Sequence, residues 1–575
     1  MKKQAFKVIA LYSALCVIAL TAQVQTVCGA ENALVFPSQG KNGMVVAGQG
    51  AATRAGLEVL KGGGNAVDAA VTVAFVMAVT LPRAGNIGGG GFMLIHSAKT
   101  GEVAAIDYWQ KASGRASRDM FLGRDGNADL HLRRQSHLAT AVPGTVAGLA
   151  TALNRFGTIS LAQALAPAIR YAEEGFIVNE KLAADMKAYE ALLRAYPATA
   201  KIFVKPDGRL YESGDILVQK DLAGTLKAIA KNGPDVFYKG AIAGLIVKQM
   251  QANGGLISGE DLAAYEPLFR TPVRGSYRGY DVISMSPPSA GGVHIIEILN
   301  ILEGFDLGRS GHNSAVSIHL TAEAMKRAFA DLSEYLGDPD FAKVPVKGLT
   351  SKSYAAELRA KINLLKATAG KDISPGDAPR YERDETTHFS VVDKEGNAVS
   401  STYTLNGNFG NGIVVAGAGF LLNNEMDNFN VRPGRIDANG IREGEANAIA
   451  PNKRMLSAMS PTIVMKDGKV LLVTGSPGSS RIISTNLQVI MNVIDHGMNI
   501  QEAVNAPRVH NEWLPDELQI EKGISPDTIK LLSGMGHTVA VGAPMGAASS
   551  ILIDGKTSMR YGAADPRRDG SALGY

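Results

Sequence analysis

Both cysteines of this chain, Cys16 and Cys28, lie in or beside its first thirty residues, so the remainder must hold its shape without a disulfide. Those first residues read as an export leader. Met1-Lys2-Lys3 precedes an apolar run from about Phe6 to Ala22, and Cys28-Gly29-Ala30 supplies small residues for cleavage. The run is short for a membrane anchor, and no later stretch is long enough to span a bilayer. A lipidated Cys28 is the alternative, but Gln25 fits poorly before it. The expectation is cleavage near Ala30 and a periplasmic or secreted protein. Beyond the leader the chain has no cysteine for a thiol nucleophile or a thiolate metal site. With 575 residues, 46% apolar and 19% charged, it has enough apolar surface for a large core. A net charge of +4 is too balanced for a nucleic-acid binder.

Hydrophobic period and turn residues organise the rest. A short extended segment within Gly43 to Ala51 leads to a helix over about Ala52 to Leu60, closed by Gly62-Gly63-Gly64. Asn65 then caps a second helix with Asp68 in its first turn. That helix is apolar nearly all round and is expected to be buried. Gly85-Asn86-Ile87-Gly88-Gly89-Gly90-Gly91 resembles a phosphate cradle, but it lacks the lysine and leads into the strand Phe92-Met93-Leu94-Ile95 rather than a helix. It reads better as a structural turn. Another strand ends at Ile106-Asp107-Tyr108-Trp109. Pro143 to Ala369 is mostly helical by period, broken by a strand at Val282-Ile283-Ser284-Met285 and the loop Pro287-Pro288-Ser289-Ala290-Gly291-Gly292. After Lys366 the chain becomes polar and reads as an exposed connection. Strands are expected from there to near Ala458 and again from Thr462 to Val473, with one helix over Thr485 to Ile494.

Within this frame stands Glu385-Thr386-Thr387-His388-Phe389-Ser390-Val391-Val392-Asp393. Two threonines open a strand whose hairpin partner starts at Ala398-Val399, with Asp393 to Asn397 as the turn. A threonine hydroxyl is a poor nucleophile in mid-chain. A cut just before it frees an α-amine that can take its proton.

These residues, with Thr402-Tyr403-Thr404-Leu405-Asn406, Phe409-Gly410 and Leu421-Leu422-Asn423-Asn424-Glu425-Met426-Asp427, resemble the start of the small subunit of γ-glutamyltranspeptidases. The resemblance continues through Pro451-Asn452-Lys453-Arg454, Ser460-Pro461-Thr462 and Gly475-Ser476-Pro477-Gly478, and covers nearly the whole chain after the leader. It implies an α+β fold, an αββα sandwich of the N-terminal-nucleophile hydrolases. Two self-cleaved pieces would build it jointly: a leader over 1–30, a large subunit over 31–385 and a small subunit over 386–575. The cleavage would fall between Glu385 and Thr386.

The resemblance also implies the site. Thr386 matches the nucleophile, with Thr404 hydrogen-bonded to it. The amides at Gly478 and Ser479 match the oxyanion hole, where the family has a glycine pair. Asn406, Glu425 and Ser457 match residues of the acyl pocket. Three pocket positions depart from the family pattern. Trp109 stands where an arginine clamps the substrate carboxylate. Asn428 replaces an aspartate that takes the α-ammonium, and Ala458 replaces a serine. Trp109 reads either as an apolar pocket wall or as core. Lys111 or Arg115 could stand in for the arginine, although both read better as solvated charges. Pro433 to about Gly444 matches a lid, with Asn439 where an aromatic gate is often found. His388 is a weak candidate base, because strand neighbours point to opposite faces. His510 matches a family segment away from the chemistry. No His/Asp/Glu cluster has zinc spacing, and no metal or cofactor is implied.

Three readings are open. The first is a self-processing γ-glutamyl hydrolase or transferase acting on glutathione-like amides, with water or an amine as acceptor. The second is a related acylase of glutaryl or cephalosporin type, favoured by Trp109, Asn428 and Ala458. The third is a non-catalytic export protein that binds a small ligand, against which Thr386 and Thr404 speak. None involves nucleic acid or a membrane anchor.

Overall fold

The computed structural model describes residues 36–381, 391–436 and 443–575. Glu385, Thr386, His388 and Asn439 lie outside these residues, as does the leader. Pro37–Tyr575 forms one compact unit.

The unit is built on two antiparallel sheets. In the smaller, the strands run in the order Ala398–Thr404, Gly90–His96, Val103–Tyr108 and Leu268–Arg270. In the larger, seven strands include the hairpin Thr462–Lys466 and Lys469–Gly475 at the centre. The sheets meet where Ser400 Oγ donates to the Thr474 carbonyl at 3.3 Å. Helices cover the outer faces. Ala66–Thr80 packs on the smaller sheet, while Gly291–Leu302 and Arg481–Ile494 pack on the larger. The layers are therefore helix, sheet, sheet, helix. The class is mixed α and β, as the sequence implies.

Local chemistry accounts for the helices that position the site. Asn65 accepts from the amides of Val67 and Asp68, and Asp68 reciprocates to the Asn65 amide at 2.8 Å, a complete capping box. Almost every side chain of Ala66–Thr80 is buried, as its all-round apolar pattern requires. The glycine run also has its physical reason. A Cβ on Gly89 would lie 2.0 Å from the Thr404 carbonyl oxygen, so only glycine lets the two strands approach this closely.

Strand pairing repeatedly joins residues before and after the Glu385–Thr386 bond. Thr404 faces Gly90, Thr462 faces Ser284, Gly562 faces Ser38 and Val46 faces Ala572. The Val391-Val392 side of the hairpin meets Ala398 through an isolated bridge from Val392, and Asn397 closes the turn on the Asp393 carboxylate at 3.0 and 2.7 Å.

One expectation fails. Between Thr404 and Thr462 the described chain contains no strand, only isolated bridges and short 3-10 turns. Left-handed backbone at Asn406, Phe409, Gly410, Gly412, Gly417 and Gly419 interrupts the extended chain over 406–419. The apolar residues that read as strands, such as Ile413, Val415 and Leu422, are buried from irregular chain instead.

Candidate active site

The candidates among the described residues converge. Trp109, Thr404, Asn406, Glu425, Asn428, Ser457, Ala458, Gly478 and Ser479 all line one cavity of about 730 Å³. Lys111 and Arg115 do not line it. Lys111 lies over the Tyr265 ring, and Arg115 is exposed and donates to the Leu256 carbonyl at 2.9 Å.

Thr404 ends its strand at the cavity. Its Oγ1 accepts from the Asn406 amide at 2.8 Å, and its carbonyl accepts from Gln110 at 3.1 Å. Asn406 takes φ +73°, a conformation asparagine tolerates better than most residues, and its side chain donates to the Asn424 carbonyl at 3.0 Å. Beyond it, the buried Asn423 amide bridges the carbonyls of Gly88 and Ala141, each at 2.8 Å. The glycine loop thereby fixes the start of the short turn Glu425–Asn428.

Glu425 is fully buried, and neither carboxylate oxygen meets a hydrogen-bond partner among the described residues. Burial, and then the charge of Asp427, push its carboxyl well above the usual carboxylate range. Asp427 itself is ion-paired with Arg133 and Arg134 at 2.7 and 3.0 Å. Because the folded state holds the Glu425 proton more tightly than the unfolded chain, stability falls as pH rises above the unfolded carboxyl value. The loss stops at the folded value. Glu425→Gln is therefore expected to stabilise the fold at pH 8 by about 1–3 kcal/mol and to be neutral near pH 4. Denaturant unfolding at the two pH values checks this.

Trp109 is 1% exposed and serves as core and cavity wall at once. Its ring stacks on Phe92 at 5.3 Å, and its indole N–H donates to the Met455 carbonyl at 2.9 Å. The neighbouring cations are committed elsewhere. Arg270 and Arg454 both hold the buried Asp107, at 3.0 and 3.3 Å. Ser457 is fixed through its backbone, donating to Pro288 at 2.9 Å and accepting from Ala290 at 2.7 Å. The Asn428 carbonyl accepts from Asn447 at 2.7 Å.

Gly478 has φ +141° and Ser479 φ +57°. Ser480 returns to φ −55° and leads into helix Arg481–Ile494. Helix N-terminal amides of this kind are not consumed by the helix and favour negative charge. The departure from a glycine pair is thus accommodated with Ser479 in the left-handed region, at about 1–2 kcal/mol of strain.

Two features were not read from the sequence, and the place of His510 is seen only in the structure. Arg83, Arg133 and Arg568 line the cavity, the first two holding Asp185 and Asp427. Ser480 and Glu512 line it too, and they are hydrogen-bonded to each other. His510 does not line it, yet reaches it through Glu512, to which its Nε2 lies at 2.7 Å. No short motif marks the three arginines, Ser480 or Glu512. Among the described residues, no group of three or more His, Cys, Asp or Glu could hold a metal, and no helix is long and apolar enough to cross a membrane.

Residues 52–575 match the family model described as Gamma-glutamyltranspeptidase, and the chain belongs to that family. It is 53% identical over 548 residues to the glutathione hydrolase proenzyme of Escherichia coli (strain K12), covering 95% of this chain and 94% of that one. It is also 40% identical over 546 residues to the acylase ACY 1 proenzyme of Pseudomonas sp. (strain SE83), covering 93% and 94%. Among solved structures, the cephalosporin acylase from Bacillus halodurans superposes with a TM-score of 0.82 at 30% identity, covering 96% of this chain and 99% of that one.

Proposed function

We propose that this chain is a self-processing γ-glutamyl amide hydrolase and transferase, acting on glutathione-like substrates after export. Cleavage between Glu385 and Thr386 frees the Thr386 α-amine. That amine takes the hydroxyl proton as Thr386 attacks the amide carbonyl. The Gly478 and Ser479 N–H groups stabilise the oxyanion, and the leaving amine departs with the transferred proton. Water or a second amine then resolves the acyl-enzyme. Thr404 orients the nucleophile, and Asn406, Glu425 and Ser457 hold the acyl group. The observation that carries this reading is the convergence of Thr404, Asn406, Glu425, Ser457 and Gly478 on one cavity, in a chain 53% identical to a glutathione hydrolase proenzyme.

Arg568 also lines the cavity; burial and then Arg83 work against its charge, while Asp185 and Asp565 support it. An acylase is the second reading, and the apolar Trp109 wall favours it, since that wall suits an acyl group without a zwitterionic end.

The test is release of an aniline from γ-glutamyl and glutaryl anilides, side by side, with Thr386→Ala as control. Faster γ-glutamyl release is expected. Faster glutaryl release replaces the first reading with the second.

A further inference from the structure

A hydrogen-bond chain runs from helix Arg481–Ile494 back to the cavity wall without touching any residue of the acyl pocket. Ser484 Oγ lies 2.5 Å from His510 Nδ1, and His510 Nε2 lies 2.7 Å from Glu512 Oε1. The same Oε1 accepts from Ser480 Oγ. Ser484 and His510 are buried, with the edge of Phe329 against the imidazole at 5.6 Å. With Nε2 donating to the carboxylate, Nδ1 accepts the Ser484 proton, so both imidazole nitrogens and both hydroxyl protons have a use. Burial works against ionised Glu512, but His510, Ser480 and Arg481 outweigh it and hold its carboxyl below the usual range.

The far end of this chain is the residue next to the strained one. Ser479 at φ +57° is held between Gly478 at φ +141° and Ser480 at φ −55°. Such backbone persists only where its surroundings over-determine it. Backbone bonds from Arg481 to Gly478 at 3.2 Å and from Ile482 to Ser479 at 3.1 Å close the turn from the helix side. The Ser480 hydroxyl closes it from the other.

We infer that Glu512 and His510 are positioning residues: the chain Ser484–His510–Glu512–Ser480 braces the loop that aims the Gly478 and Ser479 amides. The inference rests on the proposed role of those amides as the oxyanion hole. An oxyanion contact is sensitive to aim, so a slack loop lowers the chemical step and leaves ground-state binding intact.

Steady-state kinetics on the anilide that the wild type cleaves tests this. Glu512→Ala is expected to lower kcat about 10- to 100-fold with KM within about twofold. Glu512→Gln, which keeps an acceptor for Ser480, recovers most of the loss. Ser480→Ala reproduces it, and the double variant loses no more than either single one. Ser479→Gly in the Glu512→Ala background restores part of kcat, because glycine takes this backbone without strain. A kcat loss under about twofold, or additive losses in the double variant, overturns the inference. So does a rise in KM alone, which makes Glu512 a substrate contact. A crystal structure of Glu512→Ala judges the brace independently of turnover. Displacement of residues 478–480 is expected, and an unmoved loop overturns the inference. If the wild type cleaves no acyl amide, the proposed function fails while this structural outcome still decides the brace.

Discussion

Thr386→Ala is expected to leave a single uncut chain and to lower acyl-amide turnover on the order of 10⁴- to 10⁶-fold, the scale seen when a nucleophile is removed. The wild-type protein should instead yield two pieces that part between Glu385 and Thr386. The two effects have one cause. In the proposed mechanism the hydroxyl that attacks the substrate is the one that attacks the preceding carbonyl, and the amine that serves as base does not exist until the cut is made. Intact mass and anilide release, measured on the same preparations, check both. Wild-type chain that stays whole after long incubation rejects Thr386 as the self-cleaving residue. Cut chain with full activity in Thr386→Ala rejects it as the nucleophile.

Trp109→Arg combined with Asn428→Asp is expected to raise kcat/KM for the γ-glutamyl anilide on the order of 10²–10³-fold, since a buried carboxylate gains about 3–5 kcal/mol from a partner it otherwise lacks. The slot suits the change. Phe92 stacks flat on residue 109, and a guanidinium stacks on an aromatic face as readily as an indole does. The Met455 carbonyl, now bonded to the indole N–H, accepts a guanidinium N–H equally well. Asp107 is already engaged by Arg270 and Arg454, so it does not claim the charge added at 109, which is left for the substrate. The glutaryl anilide has no ammonium for the introduced carboxylate to take and should gain less. No gain in a folded, processed double variant means that positions 109 and 428 do not face the substrate as proposed.

Much of this was legible in the sequence where the local signal was complete. The Asn65–Asp68 capping box needs only four residues, and the Thr462 to Val473 hairpin only two short apolar runs about Asp467-Gly468. The stretch after Thr404 misled because its signal was half present. Ile413, Val414, Val415, Leu421 and Leu422 carry strand-like apolarity, but asparagine and glycine among them take left-handed backbone and divert the chain. Burial follows hydrophobicity in either case, so hydrophobicity alone does not distinguish them. The pocket positions were legible only through resemblance, since Thr404, Asn406 and Ser457 are ordinary residue types. Glu512 and Arg568 left no trace, because each acquires its place through contacts made by distant chain. The Trp109 alternatives, core or pocket wall, were not exclusive: the ring is buried against Phe92 and the residue also lines the cavity.

The strand pairing across residues 385 and 386 has a thermodynamic corollary. While the peptide bond is intact, the two segments are tethered and their association does not depend on how much protein is present. With the proposed cut made, folding becomes a meeting of two molecules, and the tether's effective concentration is replaced by the real one. Both sheets draw strands from either side of the break, so neither product holds the whole of either sheet by itself. A cut enzyme of this architecture is assembled once, as a single chain, and afterwards behaves as a heterodimer whose reassembly after unfolding follows mass action.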